Sequence, residues 1–212
     1  MAHVQAQRVD TILEENLEHY AALVSDPRVE AAAMLAGDCS GEFDTLATST
    51  MLAALVDTHP RVLRDITLVT IDGCVHASTN AGRIGEITGN DPQILKGSRE
   101  VTIGDLHRSA QGYLLQSLAG PIVVDGDHVG VIVVDANMEH LNTWAQDYTG
   151  LGETGEAVFG MLDAEGENAK FTTELRFDPD ASLERTIPMS ETAVPMVQAI
   201  TGTSEMSGVS SS

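Results

Sequence analysis

Apolar positions recur at helical spacing through the first third of the chain and at alternating spacing through most of the rest. Val9, Ile12, Leu13, Leu17, Tyr20, Ala21 and Val24 form one stripe, with Glu14, Glu15, Glu18 and His19 between them, which predicts a long amphipathic helix. Asp26 followed by Pro27 supplies the cap and first turn of a second helix, which Gly37 should stop. A third helix is expected from about Glu42 to Thr58, burying Phe43, Leu46, Met51, Leu55 and Val56 before Pro60.

Beyond Pro60 the period becomes that of strands. Ile66 to Asp72 and Val75 to Asn80 read as a hairpin about Asp72-Gly73, since Asp-Gly readily supplies the positive φ of a tight turn. Arg83 to Gly97 reads as loop and short helix, started by Asp91-Pro92. Strands are expected over Val101 to Ser109, Gly112 to Val124 and His128 to Asn137, the last two joined at Asp125-Gly126-Asp127. A helix over Glu139 to Tyr148 leads to a second hairpin, Phe159 to Asp163 with Lys170 to Thr173, and a helix near Glu191 to Ile200. The fold class is therefore α+β, an antiparallel five-stranded sheet packed against helices. Residues 1–60 are the helical segment, 61–148 the first module and 149–212 the start of a second, whose two strands and one helix fall short of an independent core.

Composition narrows the partners. Among 212 residues, 32 acidic ones face 11 basic ones for a net charge of -21, which repels nucleic acid and anionic membrane surfaces. The acids are scattered along the chain, and only Lys96 and Lys170 are lysines, a pattern that fits the surface of a halophile's protein. No run approaches the ~20 apolar residues of a membrane span, and no leader pattern opens the chain, so it reads as cytosolic or as an excised ectodomain. Cys39 and Cys74 share no diagnostic spacing; they could pair in an oxidising compartment, with buried free thiols the preferred reading.

Motifs for chemistry are sparse. Gly150-Leu151-Gly152-Glu153-Thr154-Gly155 matches G-x-G-x-x-G, but a helix precedes it and a strand follows, the inverse of a dinucleotide site. It reads as a glycine-rich turn into the second sheet. No two histidines stand at i, i+4, there is no C-x-x-C pair and no G-x-S-x-G elbow, so no metal, cofactor or catalytic residue is expected. Asp125 and Asp127 read as a solvated turn.

Ligand candidates are polar residues in strands that otherwise read as buried. Alternation puts Asp105 and His107 on the face of Val101 and Ile103, and Asp135 and Asn137 on the face of Val131 and Val133. A carboxylate ending a valine-rich strand needs a partner. Asp135 either caps the following helix or receives a ligand's ammonium or hydroxyl. Tyr113 and Gln116 are further candidates on an adjacent strand, Tyr113 reading equally as a rim aromatic. Arg108 has the parity opposite to Asp105 and His107.

The long first helix, ITLVTIDGCVHAST, AGPIVVDGDHVGVIVVDAN and GLGETGEAVFGMLDAEG together resemble a Cache sensor domain, an extracellular PAS-like module, of the double-Cache type. These elements span most of the chain. The resemblance implies the extracytoplasmic part of a membrane-bound histidine kinase or chemoreceptor, here of a haloarchaeon, with flanking membrane spans outside this chain and a possible homodimer. It implies a small-molecule ligand, such as an amino acid, organic acid or other small polar solute, held in a membrane-distal module between the sheet and Arg83 to Gly97. Amino-acid-sensing members hold the ligand ammonium with an Asp ending the fifth strand, which Asp135 matches. They also use an aromatic and Arg cluster about the third strand, which this chain lacks. The membrane-proximal module would be truncated. The competing expectations are a cytosolic PAS or GAF-like signalling module and an enzyme on an α+β scaffold.

Overall fold

The computed structural model describes residues 2–36 and 45–202. Two compact units are present, one of Glu14–Asn137 and one of Met1–Leu13 with Met138–Ser212.

In the first unit the helices are α1 (Ala2–Val24), entering from Glu14 on, α2 (Pro27–Leu35) and α3 (Thr45–Thr58). Asp26 caps α2, accepting from the Arg28 backbone N–H at 2.8 Å, with Pro27 in the first turn; the residue types written there satisfy an otherwise orphan donor. The helix ends at Leu35, and Gly37 lies outside the described residues. So do Glu42 and Phe43 of the expected third helix.

Two expected stripes are displaced. On α1 the buried residues of this unit are Asn16, Tyr20 and Leu23, while Leu17 is 36% exposed and Ala21 is exposed. On α3 Leu52 and Leu55 are buried, Met51 and Val56 pack partly, and Leu46 is 76% exposed. Periodicity fixes how wide an apolar face is, but only the partner surface fixes its rotation.

The five strands are β1 (Leu63–Val69), β2 (Val75–Ser78), β3 (Thr102–Arg108), β4 (Leu114–Val124) and β5 (Asp127–Asn137). They form one antiparallel sheet in the order β2-β1-β5-β4-β3. The β4–β5 hairpin turns on Asp125 and Gly126, with φ of 54° and 91°, the paired positive φ of a type I′ turn. Between β1 and β2, Gly73 has φ 85° and runs so close to Gly89 that a Cβ would lie 2.4 Å from its Cα, so no other residue fits.

Alternation divides the sheet cleanly. Leu63, Ile66, Leu68, Ala77, Leu118, Ile122, Ile132, Val134 and Ala136 form the main core with Tyr20, Leu23, Val29, Leu52 and Leu55 of the helices. Each such fully buried aliphatic side chain stabilises the fold by about 1.5–3 kcal/mol. The opposite face carries Val69, Val75, Ala119, Val131 and Val133, packed with Ile94 of a short helix α4 (Pro92–Gly97). Asp91 caps α4, accepting from Gln93 and Ile94 backbone N–H groups at 2.8 and 3.4 Å.

In the second unit α5 (Glu139–Ala145) precedes a three-stranded antiparallel sheet of β6 (Gly160–Leu162), β7 (Asn168–Phe171) and β8 (Thr186–Pro188), followed by α6 (Pro195–Ile200). The sequence predicts two strands here; the third, β8, follows a 3-10 turn at Pro179–Ala181. Phe171, Leu175 and Ala181 form a small core with Ile187 and Met196 against them. Asp163 locks the β6–β7 turn, accepting from the backbone N–H groups of Glu167 and Asn168 at 2.8 and 3.1 Å.

The glycine-rich turn before β6 is a cation holder. The carbonyl oxygens of Gly152 and Gly155 accept from the Arg176 guanidinium at 2.9 and 3.0 Å, and that guanidinium stacks 4.4 Å from the Tyr148 ring centroid. A phosphate needs N–H groups aimed at it; these acceptors present the opposite polarity.

Candidate ligand site

The α4-covered face of the sheet becomes polar at one end. In register, Asp65 of β1 stands opposite Asp135 of β5, and Asp135 opposite Ser117 of β4. The next row on the same face is Thr67, Val133 and Ala119, with Ser78 of β2 opposite Thr67. Two carboxylates on adjoining strands thus share one buried face, because paired residues of antiparallel strands point the same way.

Each carboxylate has a hydroxyl partner. Asp135, 9% exposed, accepts from the Ser117 hydroxyl. Asp65 accepts from the Thr79 hydroxyl and, at 3.4 Å, from that of Ser78. Hydroxyls leave the charge unneutralised. Burial pushes the Asp65 carboxyl above its ordinary value, the Thr79 hydrogen bond opposes the shift, and the Asp135 charge adds to it. The helix-cap reading of Asp135 is excluded, since α5 begins at Glu139 with Met138 at its cap and no side-chain cap hydrogen bond.

The segment from Asn80 to Glu100 lies over this face. Asn80 starts a single 3-10 turn, Ala81–Arg83, accepting from the Gly82 N–H at 3.2 Å. Arg83 reaches back to donate to the Thr67 hydroxyl at 3.5 Å and pairs with Glu86 at 3.3 Å. On α4, Gly97 fits against Ala119 and Gln93 against Gly104, where an added Cβ would come within 2.8 and 2.6 Å of the neighbour. The Gln93 amide nitrogen is buried and has no hydrogen-bond partner among the described residues, a donor held beside β3 and β4.

The sequence-predicted residues separate. Asp135 is at the centre of the polar row. His107 pairs with Leu115, which pairs with Asn137, so it shares the face of Asp135 one pleat further along. Gln116 pairs with Ala136 and lies on the opposite face; its amide donates to the Gly104 carbonyl at 3.5 Å while its side-chain oxygen is buried with no partner among the described residues. Tyr113 is 42% exposed, its ring 4.4 Å below the Arg64 guanidinium. Asp105 is exposed, within a bulge.

That bulge corrects the parity expected for β3. Ile103 pairs with Leu118 and Leu106 with Gln116, three residues against two, so the extra residue puts Ile103 and His107 on opposite faces. Val101 and Ile103 are 50% and 44% exposed, as an edge strand allows. Asp65, Thr67, Ser78, Ser117, Arg83 and Gln93 were missed by sequence reasoning. A signal existed for Asp65: it opens an apolar strand as Asp135 closes one, and antiparallel pairing brings those ends together.

Cys74, 5% exposed in the β1–β2 turn, is disulfide-bonded, against the expectation of a free thiol. The chain has one other cysteine, Cys39, outside the described residues. Among the described residues no cluster of three metal-ligating side chains occurs, and no helix is long and apolar enough to cross a membrane.

The five-stranded sheet with helices on one face and a short helical segment on the other has solved counterparts. The ligand-binding domain of the amino acid chemoreceptor PctC of Pseudomonas aeruginosa, in complex with GABA, superposes with a TM-score of 0.62 at 16% identity, over 90% of this chain and 78% of that one. The fold is that of a PAS-like sensor domain. The ligand-binding domain of the Campylobacter jejuni chemoreceptor Tlp3, in complex with L-norvaline, superposes with a TM-score of 0.51 at 14% identity, over 67% of this chain and 57% of that one. Both counterparts are Cache-type sensor domains. No family model matches the sequence, and no curated protein does.

Proposed function

We propose that this chain is the ligand-sensing part of a membrane-bound signal-transduction receptor, held on the extracytoplasmic side of the membrane, and that it binds a small polar solute bearing an amino group. The observation that carries the reading is the row Asp65, Asp135 and Ser117 on the face beneath Asn80 to Glu100. Two buried carboxylates whose side-chain hydrogen-bond donors are hydroxyls, with a backbone N–H of Asn80 also on Asp65, favour a cation, and an ammonium between them would donate to both. The PctC and Tlp3 domains with the same fold carry GABA and L-norvaline, each with an amino group.

The extracytoplasmic placement is supported by the disulfide at Cys74, since such bonds persist mainly in oxidising compartments. This disfavours the cytosolic PAS or GAF-like alternative. In the proposed receptor, residues 61–148 are the membrane-distal sensing module and 149–212 the beginning of a membrane-proximal one. The acidic surface, at -21 overall, suits solvation in concentrated salt. The ligand favours one of two conformations of the sensing module, and can shift their population only by its differential affinity.

Thermal unfolding in the presence of amino acids, amines and organic acids tests the reading. A compound bearing an amino group should raise the midpoint with a dependence on its concentration, as any ligand selective for the native state does. Asp135→Asn should abolish that rise. Stabilisation by organic acids alone, with Asp135→Asn unaffected, would reject it.

A further inference from the structure

We infer that Arg83 is the specificity-determining partner of the Asp65 and Asp135 pair, and that the ligand is a zwitterion whose amino and carboxylate groups are separated by several methylenes, not an α-amino acid. The inference rests on the ammonium site proposed above and adds the group that reads the other end of the ligand.

Arg83 follows β2 and bends back over the sheet, so that its Nη1 donates to Thr67 at 3.5 Å. Thr67 is two residues beyond Asp65 on the same face of β1. Thr67, which the guanidinium contacts, stands one pleat repeat from Asp65, about 6.7 Å along the strand. The guanidinium is close enough that its charge lowers the Asp65 pKa against the raising influence of burial.

The present partners of Arg83 leave it free to bind an anion. Its pair with Glu86 joins side chains 29% and 49% exposed, an exposed ion pair of the kind that contributes little, and its contact with Thr67 is long. Among the described residues Nη2 has no hydrogen-bond partner. A guanidinium presents a planar fork that suits a carboxylate, and exchanging a partly solvated Glu86 for a ligand carboxylate over the buried Thr67 and Ser78 hydroxyls would strengthen the bond.

The spacing discriminates between ligands. With its ammonium between Asp65 and Asp135, an α-amino acid would place its own carboxylate against both aspartates, where like charges repel. Roughly three or four methylene groups bridge the distance from the pair to Arg83. An ω-amino acid such as γ-aminobutyrate or 5-aminovalerate has that length and opposite charges at its ends. Butyrate lacks the amine; putrescine lacks the carboxylate.

Isothermal titration of the protein with γ-aminobutyrate, 5-aminovalerate, alanine, putrescine and butyrate tests this. One of the ω-amino acids should bind at least tenfold more tightly than alanine. Arg83→Gln should weaken that ligand at least tenfold while leaving putrescine within about threefold, whereas Asp135→Asn should weaken both. Glu86→Gln, which removes the competing carboxylate, should strengthen ω-amino acid binding several-fold, a change of sign that a merely structural Arg83 would not produce. Unchanged ω-amino acid affinity in Arg83→Gln, tighter binding of alanine, or binding of putrescine alone would overturn the inference while leaving the ammonium site standing. Indifference of the unaltered protein to every amine would overturn both.

Discussion

Asp65 and Asp135 stand directly opposite each other on β1 and β5, on one buried face, with no basic side chain among the described residues hydrogen-bonded to either. Burial and the neighbouring charge hold the Asp65 carboxyl above its ordinary value of 3.8. The folded state therefore keeps a proton that the unfolded chain has lost, and stability falls as pH rises from that ordinary value through the raised one. Asp65→Asn should remove this loss and be more stable than the unaltered protein at neutral pH, measured by denaturant unfolding across pH. His76 works in the opposite sense: burial lowers it from 6.5, so its contribution is lost as pH falls below that value. Ammonium binding should strengthen as pH rises through the raised Asp65 range, because the Asp65 carboxyl attracts a cation once it has lost its proton.

Ser117 supplies the hydroxyl that Asp135 accepts, at a site 9% exposed. Ser117→Ala should cost about 1–3 kcal/mol, the penalty for leaving a buried acceptor unsatisfied. The double variant Ser117→Ala with Asp135→Asn should lose less than the sum of the single changes, since both remove one interaction. Equilibrium urea unfolding of the four proteins would report the coupling; additive losses would show that the hydroxyl does not serve the carboxylate.

How much of this was legible beforehand follows from the range of each interaction. The Asp26-Pro27 and Asp91-Pro92 starts, the Asp125-Gly126 turn and the five strands are local, and residue type with period 2 or 3.6 specifies them. Asp135 was legible for the same reason, as a carboxylate at the end of a buried strand. Asp65 required knowing that β1 lies beside β5, a pairing separated by some 70 positions, and Arg83 required the path of a loop. The β3 bulge shows the limit of alternation most directly: one extra residue between Ile103 and Leu106 reverses every orientation inferred beyond it. Leu17 and Leu46 failed because a helix stripe shows its width but not which edge its partner covers.

The disulfide at Cys74 gives a separate expectation. The sequence offers Cys39 as its one other cysteine, and a cross-link closing a loop of that span stabilises by roughly 3–4 kcal/mol, chiefly by restricting the unfolded chain. Cys74→Ser, or thiol reduction of the unaltered protein, should lower the unfolding free energy by about that amount in denaturant titrations. Insensitivity of Cys74→Ser to reductant, with the unaltered protein sensitive, would assign the effect to this bond.

Gly120 and Tyr20 provide the most stringent test of the main core. Tyr20 on α1 is 2% exposed, and its hydroxyl is buried without a hydrogen-bond partner among the described residues; burial pushes its pKa well above the ordinary value. A Cβ at Gly120 would lie 2.3 Å from that hydroxyl oxygen, so the glycine permits the helix to approach β4. Gly120→Ala should destabilise by about 1–3 kcal/mol through overpacking. Tyr20→Phe removes an unsatisfied polar atom and should be neutral or stabilising. Combining them removes the atom that the new methyl would strike, so Gly120→Ala should cost markedly less in the Tyr20→Phe background. Thermal unfolding of the four proteins gives the coupling energy. If Gly120→Ala were equally costly in both backgrounds, the clash with the hydroxyl would not be what requires glycine there.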